Sequence, residues 1–449
     1  MNQELFVHPI APLYRKYLIP TLVAMLSNSL YCLVDVYFIS KGSGSAGLAA
    51  VNIAMPIYTM YSCIGLIFGV GASTIMSIAY GGNDNEMRNR AFTMSICMML
   101  GIGLLFTVIG SIFLKEFAYA LGASEELLPY VIAYMRPVHM VAFIFILMYS
   151  SSLLLRADHN PSLAMKAMLI GNISNMILDY VFVMVLHMGI NGAAIATAIS
   201  PCLTVGISTL HFIKKKHTVH FMNDWFSWDL LKRMFMNGLG SGVMEISAGM
   251  VILIFNSVIL SIGNELTLAA YAIITNIAYV CKGLLNGFAQ AAQPILSSNY
   301  GAGNQERVRQ TLHCSLWYAG GFALLVYGIF LCIPKLICMP FASGDAHLID
   351  VAANGVRLYF SSLLFLAINT MMMYYFQSLE RGKLSTFLAI GKGVVFVLLG
   401  LAILVPYIHM NGVWLSITFA ECLCTLVAMS VYFLQNRSLR EIFYQYWKN

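Results

Sequence analysis

Charge is scarce in this sequence. Only 10% of its 449 residues are Asp, Glu, Lys or Arg, whereas 59% are hydrophobic, and the mean hydropathy is +0.78. A soluble chain of this length needs far more charge to cover its surface, so a water-soluble enzyme or regulator is excluded and an integral membrane protein is implied. Long polar stretches are also missing, which leaves no room for a separate soluble domain. Catalytic signatures are absent: there is no His-Glu-x-x-His run, no glycine loop with a phosphate-binding lysine and no Gly-x-Ser-x-Gly elbow. The chain therefore reads as a non-enzyme, and without a nucleotide site any work it does must draw on an ion gradient. No paired zinc spacing occurs among the ten cysteines, which are scattered through apolar runs, so they read as packing residues. No cleavable leader is expected either, because Met1–Tyr14 is mixed and lacks an apolar core.

What is present is a succession of apolar runs, about a dozen, each long enough to cross a bilayer as a helix. Spans are expected near residues 16–39, 47–80, 90–115, 127–155, 162–186, 190–213, 232–262, 266–300, 309–333, 346–378, 384–407 and 411–436. The expected fold is an all-α membrane protein of twelve transmembrane helices. Residues 1–213 form an N-terminal lobe, 214–228 a basic linker and 229–449 a C-terminal lobe. Net charge is +6, but the basic residues fall in loops and read as topology signals, not nucleic-acid contacts. Arg15, Lys16, Arg88, Arg90, Arg156, Lys166, Lys214–Lys216, Arg307, Arg309, Arg381, Lys383, Arg437 and Arg440 share one side. Little beyond Lys41, Lys115 and Lys335 lies on the other. Both termini are therefore expected in the cytoplasm.

The sequence repeats itself. Leu48–Ala49–Ala50 recurs as Leu268–Ala269–Ala270, Tyr80–Gly81 as Tyr300–Gly301, and Asn191–Gly192 as Asn411–Gly412, all at one offset of 220 residues. Six helices per copy is an even number, so the two lobes are parallel repeats related by an axis along the membrane normal. That is the layout of an alternating-access transporter.

Polar residues inside the spans are few and patterned. Asn172, Asn175 and Asp179 share one face of the fifth helix, and Thr21, Asn28, Tyr31 and Asp35 share one face of the first. Asp35 lies ~6 Å of helix rise from the outer end, and Asp179 and Thr197 ~10 Å. A carboxylate in a membrane helix is costly and marks an ion or substrate path, although polar glue between helices is the plainer alternative. With no basic residue at that depth in the first lobe, two buried carboxylates cannot both stay ionised cheaply. A proton or a small cation such as sodium would relieve them. In the second lobe, Glu245 lies on the seventh helix, and Lys282, Asn286, Gln290 and Gln293 line the eighth. A Glu245–Lys282 pair or a Lys392–Glu421 pair would be charge-neutral. Together with Asn28, Tyr31 and Asn172, the residues of the seventh and eighth helices are candidates for a substrate or second polar site. Twenty-eight methionines, including Met371–Met373, suit a cavity for varied apolar ligands as well as ordinary packing.

The runs Val34–Asp35–Val36–Tyr37–Phe38–Ile39 and Gly47–Leu48–Ala49–Ala50–Val51–Asn52–Ile53 with Pro56 resemble the multidrug and toxic-compound extrusion family, and its MepA-like branch above all. Leu155–Arg156–Ala157, Asn160–Pro161 and Asn191–Gly192–Ala193–Ala194 are similar to the same family. The resemblance implies a multi-pass antiporter of the cytoplasmic membrane, expelling organic, often cationic compounds in exchange for H+ or Na+, with no cofactor. It implies a cation site at Asp35, Asn175, Asp179 and Thr197, in which Asp35 and Asp179 would hold any Na+. Where some relatives carry an Asn on the fourth helix, this chain has Tyr149–Ser150–Ser151–Ser152. Where one branch pairs the seventh-helix acid with another on the tenth, 355–378 contains no acid, so the first lobe is the expected site. The expected protein is a monomer among membrane lipids. Two alternatives compete: a flippase of lipid-linked precursors or polysaccharide, and a passive channel or sensor.

Overall fold

With no water to satisfy their peptide groups, apolar runs of this length must bond internally, and every regular element among the described residues is helical. The computed structural model describes residues 4–213, 218–342 and 345–435. Lys214–Lys216 and His217 of the expected linker, and Arg437 and Arg440, lie outside them.

The first helical stretch, Ile10–Gly81, is interrupted at Gly44 (φ 60°, ψ −149°), which divides it into α1 (10–43) and α2 (45–81). That conformation strains any residue with a side chain, so glycine marks where one span ends and the next begins. There follow α3 (Asn85–Ile112), α4 (Leu128–Met140 and Ala142–Ala157, bent by 60°), α5 (Pro161–Val185) and α6 (Gly189–Ile213). The second set is α7 (Trp228–Ile262), α8 (Glu265–Gly301), α9 (Gln305–Cys332) and α10 (Ala346–Ser378, with a tighter turn at Phe360–Ser362). It closes with α11 (382–407) and α12 (410–435), which are separated by non-helical Ile408 and His409. These are the twelve expected spans. Two features escape hydropathy, which registers composition and not direction. One is the bend in α4. The other is a change to π-helix inside α5 (Tyr180–Val185) and α11 (Gly391–Val395).

The repeat is visible in the capping. Asp84 accepts the Met87 backbone N–H at 2.9 Å to start α3, and 220 residues later Asn304 accepts that of Arg307 at 3.2 Å to start α9. The residues just before them, Asn83 (φ 58°) and Gly303 (φ 74°), are both left-handed.

Two hydrophobic cores form, and the first helix of each repeat crosses between them. Leu13, Tyr14, Tyr17 and Leu18 of α1 pack into the core built mainly from α8–α12, whereas Ile39 at its far end belongs to the core of the first repeat. α7 does the reverse, with Leu230 and Met234 in the first core and Val251, Phe255 and Ile259 in the second. The Tyr14 hydroxyl fixes one crossing by donating to the Phe288 carbonyl of α8 at 2.8 Å.

The repeats meet at the end that carries the arginines. A Cβ on Gly81 would lie 1.9 Å from the Ser298 carbonyl oxygen, and one on Gly301 2.0 Å from that of Ile78. These are the same contact seen from the two sides of the pseudo-twofold axis. Nearby, a Cβ on Gly238 of α7 would lie 1.8 Å from the Ile67 carbonyl oxygen of α2. Only hydrogen in place of a side chain lets these backbones touch.

The arginines do more than signal topology. Arg88 and Arg156 are each only 2% exposed, too deep for loop charges. Arg88 Nη2 lies 2.5 Å from Asp158 Oδ1, His211 Nε2 lies 2.6 Å from Asp158 Oδ2, and the Thr218 N–H donates to Oδ2 at 3.1 Å. The Thr218 hydroxyl joins both Arg88 and Asp158. The cluster ties the linker, at Thr218, to α3, α6 and the α4–α5 turn. Burial pushes the Asp158 carboxyl up, but the bonds from His211 and Thr218 and the charge of Arg88 outweigh it, leaving the group below its ordinary 3.8. A depressed folded-state pKa stabilises above the unfolded value and loses that contribution as pH falls through the folded one. Asp158→Asn, which strands Arg88, is expected to cost about 3–5 kcal/mol at neutral pH. Thermal unfolding from pH 7 down to pH 3 should show the variant and parent converging only below about pH 4.

Candidate ion and substrate site between the lobes

α1, α5 and α6 bring four of the expected residues together. Asp35 is 7% exposed, Thr197 1%, and Asn175 and Asp179 are fully buried. The carboxyl groups of Asp35 and Asp179 face each other within hydrogen-bond range, and the Thr197 hydroxyl lies beside Asp35. With its amide oriented to satisfy both ends, Asn175 donates to Asp179 Oδ2 at 2.8 Å and accepts the Thr197 backbone N–H at 3.2 Å. One turn away, Asn172 donates to Ser27 Oγ at 3.2 Å and braces α5 on α1. The π-helical turn that begins at Tyr180 follows directly on Asp179. Asp35 Oδ1, Asp179 Oδ1 and Thr197 Oγ1 are buried without a protein partner. Two carboxyls at this range repel unless a proton is shared between them or a cation lies among them. Two orphaned carboxyl oxygens, one orphaned hydroxyl and an amide are hard donors of the kind that hold a proton or an alkali cation.

The second-lobe candidates do not gather in the same way. Glu245 and Lys282 form no ion pair with each other, and neither has a hydrogen-bond partner among the described residues. Glu245 of α7 lies close enough to Tyr149, Tyr279 and Tyr374 for its charge to act on their hydroxyls. Gln290 and Gln293 are taken up in contacts between the repeats. Gln290 accepts from Arg156 at 2.8 Å, and Gln293 donates to Thr74 at 2.7 Å and Ser73 at 3.2 Å. They bridge the repeats at the basic end, where an amide's two-sided hydrogen bonding suits a contact that can be remade. Asn28 bonds the Tyr279 hydroxyl at 3.3 Å. Among the described residues Tyr31 and Asn286 form no side-chain hydrogen bond, whereas Lys392 and Glu421 do pair, at 3.5 Å.

Apart from Tyr31, sequence reasoning passed over the tyrosines. Tyr31, Tyr58 and Tyr134 surround Asp35, and Tyr58 bonds Tyr134 at 3.2 Å. Tyr149 and Tyr279 continue the lining toward Glu245. The signal was available: a phenol in the middle of an apolar span needs a partner for its hydroxyl, and an aromatic face beside acids suits an organic cation.

The MatE family model matches residues 20–181 and again 241–404, once in each repeat. The chain belongs to the MatE family. That bears out the resemblance carried by Val34–Ile39 and Gly47–Pro56. MatE proteins are transporters, so the chain is a multi-pass membrane transporter and not an enzyme. Among its relatives is the multidrug export protein MepA of Staphylococcus haemolyticus strain JCSC1435, 25% identical over 442 residues that span 97% of each chain. The MepA protein of Staphylococcus aureus strain MRSA252 is 24% identical over 443 residues, again 97% of each. The fold matches a solved outward-facing conformation of a multidrug resistance MATE family transporter of the MOP superfamily, with a TM-score of 0.90, 24% identity and 98% of each chain covered. A crystal structure of MATE in complex with MaL6 gives a TM-score of 0.91 at 23% identity, covering 98% of this chain and 99% of that one.

Proposed function

We propose that this MatE-family chain is a secondary active efflux antiporter of the cytoplasmic membrane, with both termini inside. It would export organic, often cationic compounds in exchange for H+ or Na+. The observation that carries this reading is the Asp35–Asp179 pair: two facing acids, buried in the first lobe and held by Asn175 and Thr197, with no basic partner. The pair binds the coupling cation from outside. A positively charged substrate entering the tyrosine-lined cleft lowers the value of that cation and is exchanged for it. The lobes, 1–213 and 229–449, alternate access by opening and closing the glycine and glutamine contacts at the basic, cytoplasmic end. In the conformation described here those contacts are made. MepA is named for multidrug export, and near full-length similarity to it supports a small-molecule cargo. The protein works as a monomer among membrane lipids.

The test is efflux of a fluorescent organic cation from proteoliposomes with a proton or a sodium gradient imposed separately. Transport that follows one gradient supports the reading and identifies the ion. Passive equilibration with neither gradient having an effect would mean a channel instead.

A further inference from the structure

The second lobe contains an acid–amide cluster that the proposed coupling site does not use. Glu421 of α12 is 7% exposed and receives the Asn369 amide of α10 at 2.6 Å on Oε2, and again at 2.8 Å on its own carbonyl oxygen. The Thr425 hydroxyl bonds Asn369 Oδ1 at 3.1 Å. The remaining carboxylate oxygen, Oε1, faces Lys392 Nζ at 3.5 Å, and both side chains are about nine-tenths buried. Lys392 lies in the π-helical turn Gly391–Val395 of α11, as the π-helical turn Tyr180–Val185 follows Asp179 in α5. At the offset of 220 residues that relates the lobes, Lys392 occupies the position of Asn172, on the polar stripe of the first-lobe site.

The donor sets correspond. Each lobe places buried carboxylate with an amide and a threonine hydroxyl near a π-helical turn, two acids in the first and one in the second. In the second, Glu421 Oε1 is the atom that faces the Lys392 ammonium, and Asn369 and Thr425 hold that carboxylate in place. Among the described residues no basic side chain joins Asp35 and Asp179, whereas Lys392 joins the second-lobe cluster. Buried ion pairs of this kind are weak sources of stability, because desolvation offsets their attraction, so stability alone does not explain the arrangement. We propose that the Glu421–Asn369–Thr425 cluster is a monovalent-cation site filled permanently by the Lys392 ammonium. A tethered cation cannot be exchanged, so ion traffic is confined to the first lobe and each chain has one coupling site. The comparison of lobes rests on the coupling role proposed for Asp35 and Asp179; the ammonium site does not.

The experiment uses the purified full-length chain carrying Asp35→Asn and Asp179→Asn, so that the first lobe cannot respond to cations. Thermal unfolding is followed in choline chloride, sodium chloride and ethylammonium chloride, with and without Lys392→Ala. Without Lys392→Ala, Tm should be the same in all three salts. Lys392→Ala should lower Tm in choline and regain about 5 °C in ethylammonium or sodium. Adding Glu421→Gln should abolish that recovery. Lys392→Met, which keeps the side-chain volume, provides the same comparison if the alanine variant does not fold, and should respond to sodium. Equal loss in every salt for both variants, or recovery that survives Glu421→Gln, would overturn the proposal, as would failure to isolate either variant even with ethylammonium present. None of these readouts needs transport, so failure of efflux in the otherwise unmodified protein would count against the antiporter reading alone.

Discussion

Asp179→Asn is expected to reduce gradient-driven efflux to the level of empty proteoliposomes while the protein still folds and binds substrate. Asn keeps the size of the side chain and its bond with Asn175, so packing at this fully buried position survives. What disappears is the paired charge. With one ionisable oxygen pair left, Asp35 no longer has a neighbour that forces a proton or cation into the site, and substrate entry has nothing to displace. Asp35→Asn should behave alike, and the double variant should be no worse than either single one, because the two acids act as a unit. Efflux, substrate binding and Tm measured on the same preparations separate these effects. A variant that still concentrates substrate against a gradient would remove Asp179 from coupling.

Gly81→Ala and Gly301→Ala should prevent the basic end from closing. Each new Cβ would meet a backbone carbonyl oxygen at about half a normal contact distance, 1.9 Å for Gly81 and 2.0 Å for Gly301. A backbone oxygen cannot rotate away as a side chain can, so the helices must separate. Overpacking of this kind costs about 1–3 kcal/mol. Applied only to the closed state, that shifts the open-to-closed ratio about 5- to 150-fold. The check is labelling of Thr74→Cys, at the Gln293 contact, by a membrane-impermeant thiol reagent added from the basic side, scored against the parent with its ten cysteines. Labelling should rise with either glycine variant and rise no further when both are combined, since the two contacts are one crossing. Unchanged labelling would mean that α2 and α8 separate elsewhere.

Much of this architecture is legible in the sequence because hydropathy and backbone satisfaction act locally. A run of twenty apolar residues has to be a helix, and a 220-residue offset kept at Leu48, Tyr80 and Asn191 has to be a repeat. The first-lobe site is legible for a related reason. Asp35 and Asp179 are so costly in a membrane that their stripes could be read without knowing what they touch. Arg88 and Arg156 misled because charge near a span end usually means a loop; only three-dimensional packing shows Asp158 and Gln290 waiting for them. The hydrogen bonds of Gln290 and Gln293 across the repeats were not legible either, since a polar stripe on one helix does not reveal which helix it meets. The exchange of α1 and α7 between the two cores cannot be read from composition, which does not record the lobe against which each half of a helix packs. Lys392 and Glu421, 29 residues apart in sequence, could be matched by charge, but not distinguished from a Glu245–Lys282 pair that does not form.

The central claim is that substrate and coupling cation compete for the Asp35–Asp179 site, and ion release tests it without a membrane. Purified protein in weakly buffered detergent solution is mixed with a lipophilic organic cation such as tetraphenylphosphonium, while proton and sodium release are followed by dye and electrode. The account predicts release of one of the two ions on substrate binding, and none from the Asp35→Asn/Asp179→Asn protein. Tight binding of the organic cation with neither ion released would contradict it.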